Sequence, residues 1–356
     1  MSEAVDTKDV EFEDAHVESS ETVFEVANTV RDDGITDSAS ERSDTVSSNQ
    51  SRGEGLDKGI DKLESRRDEK EERRAAGELS GQKARGWTEK LLTRTTSGAI
   101  YSIIIIGCLF LGRMPTTIVI AAMAWLCCSE FFHMSRMAGR MPNEIIGLSV
   151  AVAYPLATLL RMVDNPTLSV TAVLLLCCAV WYVLTPRANI ADVAITAFGP
   201  IYTSLPFGLF AVIRSYDKGL PGALLALAVI GSIWLNDAGA YLIGSRFGVH
   251  RLAPRISPKK SIEGFWGGLA CSLIPWLILY FIHVTPIDLP WALLCAVVVG
   301  VTSVVGDLFE SRIKRGVGVK DSGSFMPGHG GLLDRSDSVL FGSMAAYLLL
   351  KLGGIL

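Results

Sequence analysis

Bulky apolar residues are scarce in the first part of this sequence. From Met1 to about Gly55 there are few aromatic side chains, acidic residues throughout, and polar runs such as "SDTVSSNQS". So little apolar surface cannot offset the entropy of ordering the chain, which excludes a folded core and predicts disorder. The stretch "KGIDKLESRRDEKEERR" (58–74) spaces its charges as a solvated helix does, but its apolar stripe is thin. An N-terminal apolar core with a cleavage site is also missing, which excludes a secretory signal peptide. Zinc-ligand company is missing around the cysteines. Cys108, Cys127, Cys128, Cys177, Cys178, Cys271 and Cys295 all lie inside apolar runs and read as small buried side chains, not metal ligands or disulfide partners. The formal net charge of −4 is a property of the tail, and no nucleic-acid partner is expected.

After Thr93 the character changes. Apolar runs of roughly 16 to 24 residues recur to the end, the length that crosses ~30 Å of hydrocarbon as helix. The expectation is an all-α, polytopic integral membrane protein with about nine transmembrane helices behind a disordered tail. The tail covers 1–94, acidic first and mixed in charge later, and the membrane-embedded domain covers 95–356. The spans are placed at 97–112, 115–133, 145–163, 167–184, 190–213, 221–244, 264–283, 288–307 and 338–355. Lys83, Arg85, Lys90 and Arg94 precede the first span and put the N-terminus in the cytoplasm. The connections 134–144, 185–189, 245–263 and 308–337 then fall on the cytoplasmic side and carry most of the Lys and Arg.

Three stretches carry chemistry that a membrane scaffold does not need. In "IWLNDAGAYLIGSRFG", Asn236 and Asp237 sit inside an apolar run, where a carboxylate costs several kcal/mol unless paired or hydrated. They read as a functional site or as an interhelical hydrogen-bond anchor. In "RLAPRISPKKSIEGFWGG", Lys259, Lys260 and Ser261 stand at the start of a span, where helix amides and dipole favour a phosphate; ordinary positive-inside charge with a capping box is the plainer reading. The third, "VGDLFESRIKRGVGVKDSGSFMPGHGGLLDRSDSVLFG" (305–342), holds Asp307, Asp321, Asp334 and Asp337 together with Lys314, Arg315, Lys320 and Arg335. Carboxylates suit a hard cation such as Mg²⁺, and the basic residues suit phosphate oxygens. The turn "PGHGG" sets His329 in a backbone that a ligand can approach closely. Together these read as phosphoryl or nucleotidyl transfer.

"SRIKRGVGVKDSGSFMPGHGGLLDRSDS" (311–338) closely resembles the signature of the phosphatidate cytidylyltransferases, and "WLNDAGAYLIGSRFG" and "LAPRISPKKSIEGFWGG" resemble that family's two other landmarks, in the expected order. The resemblance covers roughly 95–356; "PKKSIEG" departs mildly from the family pattern and keeps its hydroxyl. It implies a Mg²⁺-dependent transfer of the cytidylyl group of CTP to phosphatidic acid in the bilayer, at the inner membrane of a bacterium. By the same resemblance Asp307 and Asp334 are the metal ligands, with Asp321 and Asp337 supporting acids. Lys320 and His329 join the catalytic set, His329 against phosphate or ribose. Lys259, Lys260, Ser261, Lys314, Arg315 and Arg335 are the expected phosphate-binding residues, Asn236 and Asp237 the intramembrane polar pair, and a homodimer is the assembly considered. Two other classes compete: a CTP-dependent polyprenol or lipid kinase, and an ion-coupled secondary transporter using Asp237 and Asp307. The D-G-x-x-A-R core of CDP-alcohol phosphotransferases is absent, and no internal repeat supports the transporter.

Overall fold

A computed structural model describes residues 96–160, 165–323, 325 and 330–356. The tail assignments, the end of the predicted span 145–163 and His329 lie outside the described residues. The rest is almost entirely helical. In chain order the elements are α1 (Thr96–Leu111), α2 (Arg113–Met137), α3 (Glu144–Ala157), α4 (Pro166–Leu184), α5 (Ile190–Thr203), α6 (Leu205–Arg214), α7 (Leu220–Phe247), β1 (Arg251–Ala253), β2 (Ser257–Ser261), α8 (Ile262–Ile282), α9 (Leu289–Val317) and α10 (Leu333–Leu352).

Six helical segments are long and apolar enough to cross a membrane: α2, α4, the α5–α6 pair, α7, α8 and α9. This makes the chain a multi-pass membrane protein. Two predicted spans fold as shorter apolar helices, α1 and α3. The ninth, placed at 338–355, falls on α10, whose first turns carry Asp334, Arg335 and Asp337, so the expected nine-span pattern is met in full length by six. Gly112, at φ 125°, makes the break between α1 and α2, a backbone conformation that a side chain would strain. Between α5 and α6 the chain turns at Ser204, two residues before Pro206, which lacks the N–H to continue the ladder.

Two connections placed outside the membrane are more structured than loops. The expected cytoplasmic stretch 245–263 contains an antiparallel β-hairpin, β1–β2, so the fold is not purely helical. The stretch 308–337 is helical at both ends, since α9 runs on to Val317 and α10 starts at Leu333. Hydropathy falls where charges begin, whereas Leu308, Glu310, Arg312 and Ile313 still favour helix.

The most intimate pairing is α7 against α8, and small residues explain it. Gly239 faces Cys271, Gly267 faces Ile243, and Gly244 and Gly264 face each other. A Cβ on Gly264 would lie 2.7 Å from the carbonyl oxygen of Ala240. Gly264→Ala should therefore lower the thermal midpoint in detergent, by an amount equivalent to about 1–3 kcal/mol. An unchanged midpoint would show that the two helices have slack.

Buried polar groups then tie the helices together. Asn236 donates to the Gly300 carbonyl oxygen at 3.2 Å and to Ser303 Oγ at 2.8 Å, joining α7 to α9. Arg214, buried at the end of α6, donates through Nε to the Leu109 carbonyl oxygen at 2.9 Å and so caps α1.

Candidate functional site

A cavity of about 980 Å³ opens where α1, α7, the hairpin, α8, α9 and α10 meet. Its carboxylates come from three helices. Asp237 on α7 is exposed to the cavity although its helix is apolar, Asp307 lies on α9, and Asp334 and Asp337 lie on the first turns of α10. Because α10 begins at Leu333, the last two share a face at i, i+3 spacing. Asp321, just past α9, completes the acidic wall. The cations come chiefly from the hairpin. Lys259 and Lys260 on β2 and Arg251 on β1 line the same space, with Lys314 and Arg335 beside the acids.

The hairpin is held by its own chemistry. Ser261 Oγ accepts the Gly264 amide at 3.1 Å and caps α8. Glu263 reaches back to accept the amides of Val249 and His250, and pairs with His250 Nδ1 at 2.6 Å. The end of α7 and the start of α8 are thereby fixed to each other, which sets where β2 presents its lysines.

Two stretches far apart in sequence close into one site through Lys260, whose Nζ lies 2.6 Å from Asp307 Oδ2. A second knot lies deeper. Lys314 Nζ is 2.5 Å from Asp334 Oδ1 and also pairs with Glu310, one turn earlier on α9 and fully buried. Asp334 Oδ2 accepts the amides of Ser322 at 2.9 Å and Gly331 at 2.8 Å. Asp334 thus holds the two ends of the connection between α9 and α10.

Among the expected residues, Asp237, Lys259, Lys260, Ser261, Asp307, Lys314, Asp321, Asp334, Arg335 and Asp337 come together around the cavity. Asn236 does not line it and serves as the interhelical anchor instead. Arg315 lies outside the lining, exposed, with its guanidinium on the Val319 carbonyl oxygen at 3.1 Å. Lys320 is exposed and does not line the cavity either. Arg251, Glu310 and Glu130 were not singled out from the sequence. Glu130 is an acid inside an apolar helical stretch, the signal that drew attention to Asp237, whereas Glu310 lies in the polar stretch after Asp307 and carries no such signal. For Arg251 the only signal was its place beside "SPKKS".

Among the described residues, no three acidic, imidazole or thiol groups converge closely enough to hold an ion by themselves. Asp337 does lie within electrostatic range of Asp307 and Asp237, all hard oxygen donors. That set fits Mg²⁺, which takes one or two carboxylates and fills its remaining positions with substrate phosphate and water.

Comparisons with known proteins give the family. The family described as cytidylyltransferase matches residues 92–353. A phosphatidate cytidylyltransferase of Bacillus subtilis (strain 168) is 34% identical over 266 residues, covering 73% of this chain and 97% of that protein. Proteins of the same name from Staphylococcus haemolyticus and Staphylococcus aureus are 44% and 45% identical. Those two alignments cover 44% of this chain and 58% of each relative.

Proposed function

The chain belongs to the cytidylyltransferase family, and from that membership and the cavity we infer that it is a phosphatidate cytidylyltransferase. It joins the cytidylyl group of CTP to phosphatidic acid, giving CDP-diacylglycerol and pyrophosphate for phospholipid synthesis. The observation that carries the reading is the Lys260–Asp307 contact, which faces a phosphate-binding strand with a carboxylate wall across one cavity.

In the reaction, a phosphate oxygen of phosphatidate attacks the α-phosphorus of CTP. A new P–O bond forms as the bond from the α-phosphorus to the bridging oxygen breaks, and pyrophosphate leaves with that electron pair. The nucleophile is already an anion, so no general base is needed, and the protein has only to position the groups and offset their charge. Lys259, Lys260 and Arg251 hold the polyphosphate, and Arg335 meets the lipid phosphate. Asp307 with Asp337 would hold Mg²⁺, which would supply charge neutralisation at the reacting phosphates. Asp334, occupied by Lys314 and two amides, shapes the connection and is the weaker candidate for the ion. Asp237 keeps the cavity hydrated inside the apolar layer. Lys320 adds positive charge near the nucleotide and His329 binds its phosphate or ribose, both roles resting on the sequence alone.

All nine apolar segments cross the bilayer of the bacterial inner membrane. The N-terminus, hairpin and Asp321 face the cytoplasm, a topology supported by the surplus of Lys and Arg in those connections. The test is purified protein in detergent with CTP, phosphatidate and Mg²⁺. Pyrophosphate and CDP-diacylglycerol are the expected products. Release of CDP would make the protein a lipid kinase, and solute uptake into vesicles without turnover would make it a transporter. In the same assay, Lys260→Ala should raise the KM for CTP on the order of tenfold or more, the scale of one charge-assisted phosphate contact. An unchanged KM would remove Lys260 from the nucleotide site.

A further inference from the structure

We propose that Glu130, on a helix that does not line the cavity, is a positioning residue that fixes both ends of the connection carrying Asp321. Glu130 lies in the C-terminal half of α2 and is buried among Cys127, Phe131 and Phe132. Its carboxylate accepts three hydrogen bonds. Ser322 Oγ donates to Oε2 at 2.9 Å, the Leu333 amide donates to Oε2 at 2.8 Å, and the Leu332 amide donates to Oε1 at 2.9 Å. Ser322 directly follows Asp321 in the connection that leaves α9 at Val317, and Leu332 and Leu333 open α10. One side chain from a third helix therefore closes the base of the segment.

Asp334 grips the same base from the cavity side, through the amides of Ser322 and Gly331. Ser322 is shared: its amide goes to Asp334 and its hydroxyl to Glu130. The connection is thus stapled twice, by one carboxylate facing the cavity and one facing away. Space is as tight as the bonding. A Cβ on Gly323 would lie 2.9 Å from Glu130 Oε1, and one on Gly331 would overlap Oε2 and Ser322 Oγ. No cation pairs with Glu130 among the described residues; amide donors and the N-terminus of α10 hold its charge. A carboxylate buried at that cost, with its three described hydrogen bonds all on this connection and the start of α10, is there to place the segment.

The inference rests on the proposed reaction only for its kinetic half, so the experiment reads position and activity separately. Glu130→Gln and Ser322→Ala are prepared in the full chain alongside Glu130→Ala. Hydrogen–deuterium exchange is followed in peptides covering Ser322 and residues 330–334. In Glu130→Gln one oxygen remains an acceptor, but the new NH₂ faces a donor, so exchange at Leu332 and Leu333 should rise about tenfold or more while α7 and α8 keep wild-type protection. The kcat/KM for CTP should fall on the order of a hundredfold, as a displacement of about 1 Å in a reacting group produces. The KM for phosphatidate should rise as well, because Arg335 follows Leu333 in the first turn of α10, and Ser322→Ala should show the same pattern in milder form. Exchange unchanged at Leu332 and Leu333 would overturn the proposal. So would a rise spread over all helices, which makes Glu130 a general fold anchor. If the wild-type protein makes no CDP-diacylglycerol, the proposed reaction fails while the exchange arm still decides the staple. If Glu130→Ala does not fold, the other two variants carry the test.

Discussion

Replacing Asp307 with asparagine lowers turnover on the order of a thousandfold and leaves the fold in place. The side chain is half-buried on the cavity face of α9, with Oδ2 at 2.6 Å from Lys260 and Oδ1 accepting from Ser311 Oγ at 3.3 Å. Asparagine has the same shape, and a partly exposed ion pair contributes at most about 1 kcal/mol, so the thermal midpoint should barely move. What is lost is a full negative charge where Mg²⁺ is proposed to sit. The residual rate should keep climbing with Mg²⁺ beyond the concentration that saturates the unaltered protein. Asp334→Asn is the informative contrast. Its amide would set NH₂ against either Lys314 or the amides of Ser322 and Gly331, donor against donor, so activity and thermal midpoint should fall together. Pyrophosphate release and thermal unfolding, measured on both variants, separate a charge role from a shaping role. Near-normal turnover of Asp307→Asn at the ordinary metal requirement would remove it from the ion.

Much of the cavity could be read from the chain because charge stands out against hydrocarbon. Asp237, Lys259, Lys260, Asp307, Asp334 and Asp337 were each conspicuous as polar groups in or beside apolar runs, and the cavity gathers them. What escaped was geometry that charge does not report. The stretch after Asp307 is polar but helical, so Glu310 and Lys314 continue its helix by about one and two turns. In "RLAPRISPKKS" two prolines obscure the short alternating pattern of a hairpin, yet that hairpin delivers the lysines to Asp307. Glu130 was the hardest to see, since its partners are about 200 residues away in sequence, and only the fold brings them to it. An isolated acid in an apolar helix announces a partner without naming it. Only six of the nine expected spans are met in full length for a related reason: α1 and α3 are apolar but short, α10 opens on charged residues, and hydropathy records composition better than helix ends.

The second large effect falls on stability. Lys314 sits between two carboxylates, Glu310 with no exposed surface and Asp334 on the cavity wall, and among the described residues Glu310 has no partner besides Lys314 for Oε2 and none for Oε1. Lys314→Met removes the cation and leaves both acids. Breaking a buried pair from one side costs about 3–5 kcal/mol, because the remaining charge keeps its desolvation penalty and loses its compensation. The thermal midpoint in detergent should drop accordingly, further than for Asp307→Asn. Adding Glu310→Gln to Lys314→Met takes away the buried charge as well. Asp334 still has the amides of Ser322 and Gly331, so the double variant should recover most of the lost stability. Turnover should not recover with it, since Asp334 loses the contact that fixes Oδ1 at the cavity wall. Stability restored without activity would identify the trio as an orienting device beneath the site. A double variant as unstable as the single would mean that Lys314 holds the fold by its packing, and that charge plays no part in it.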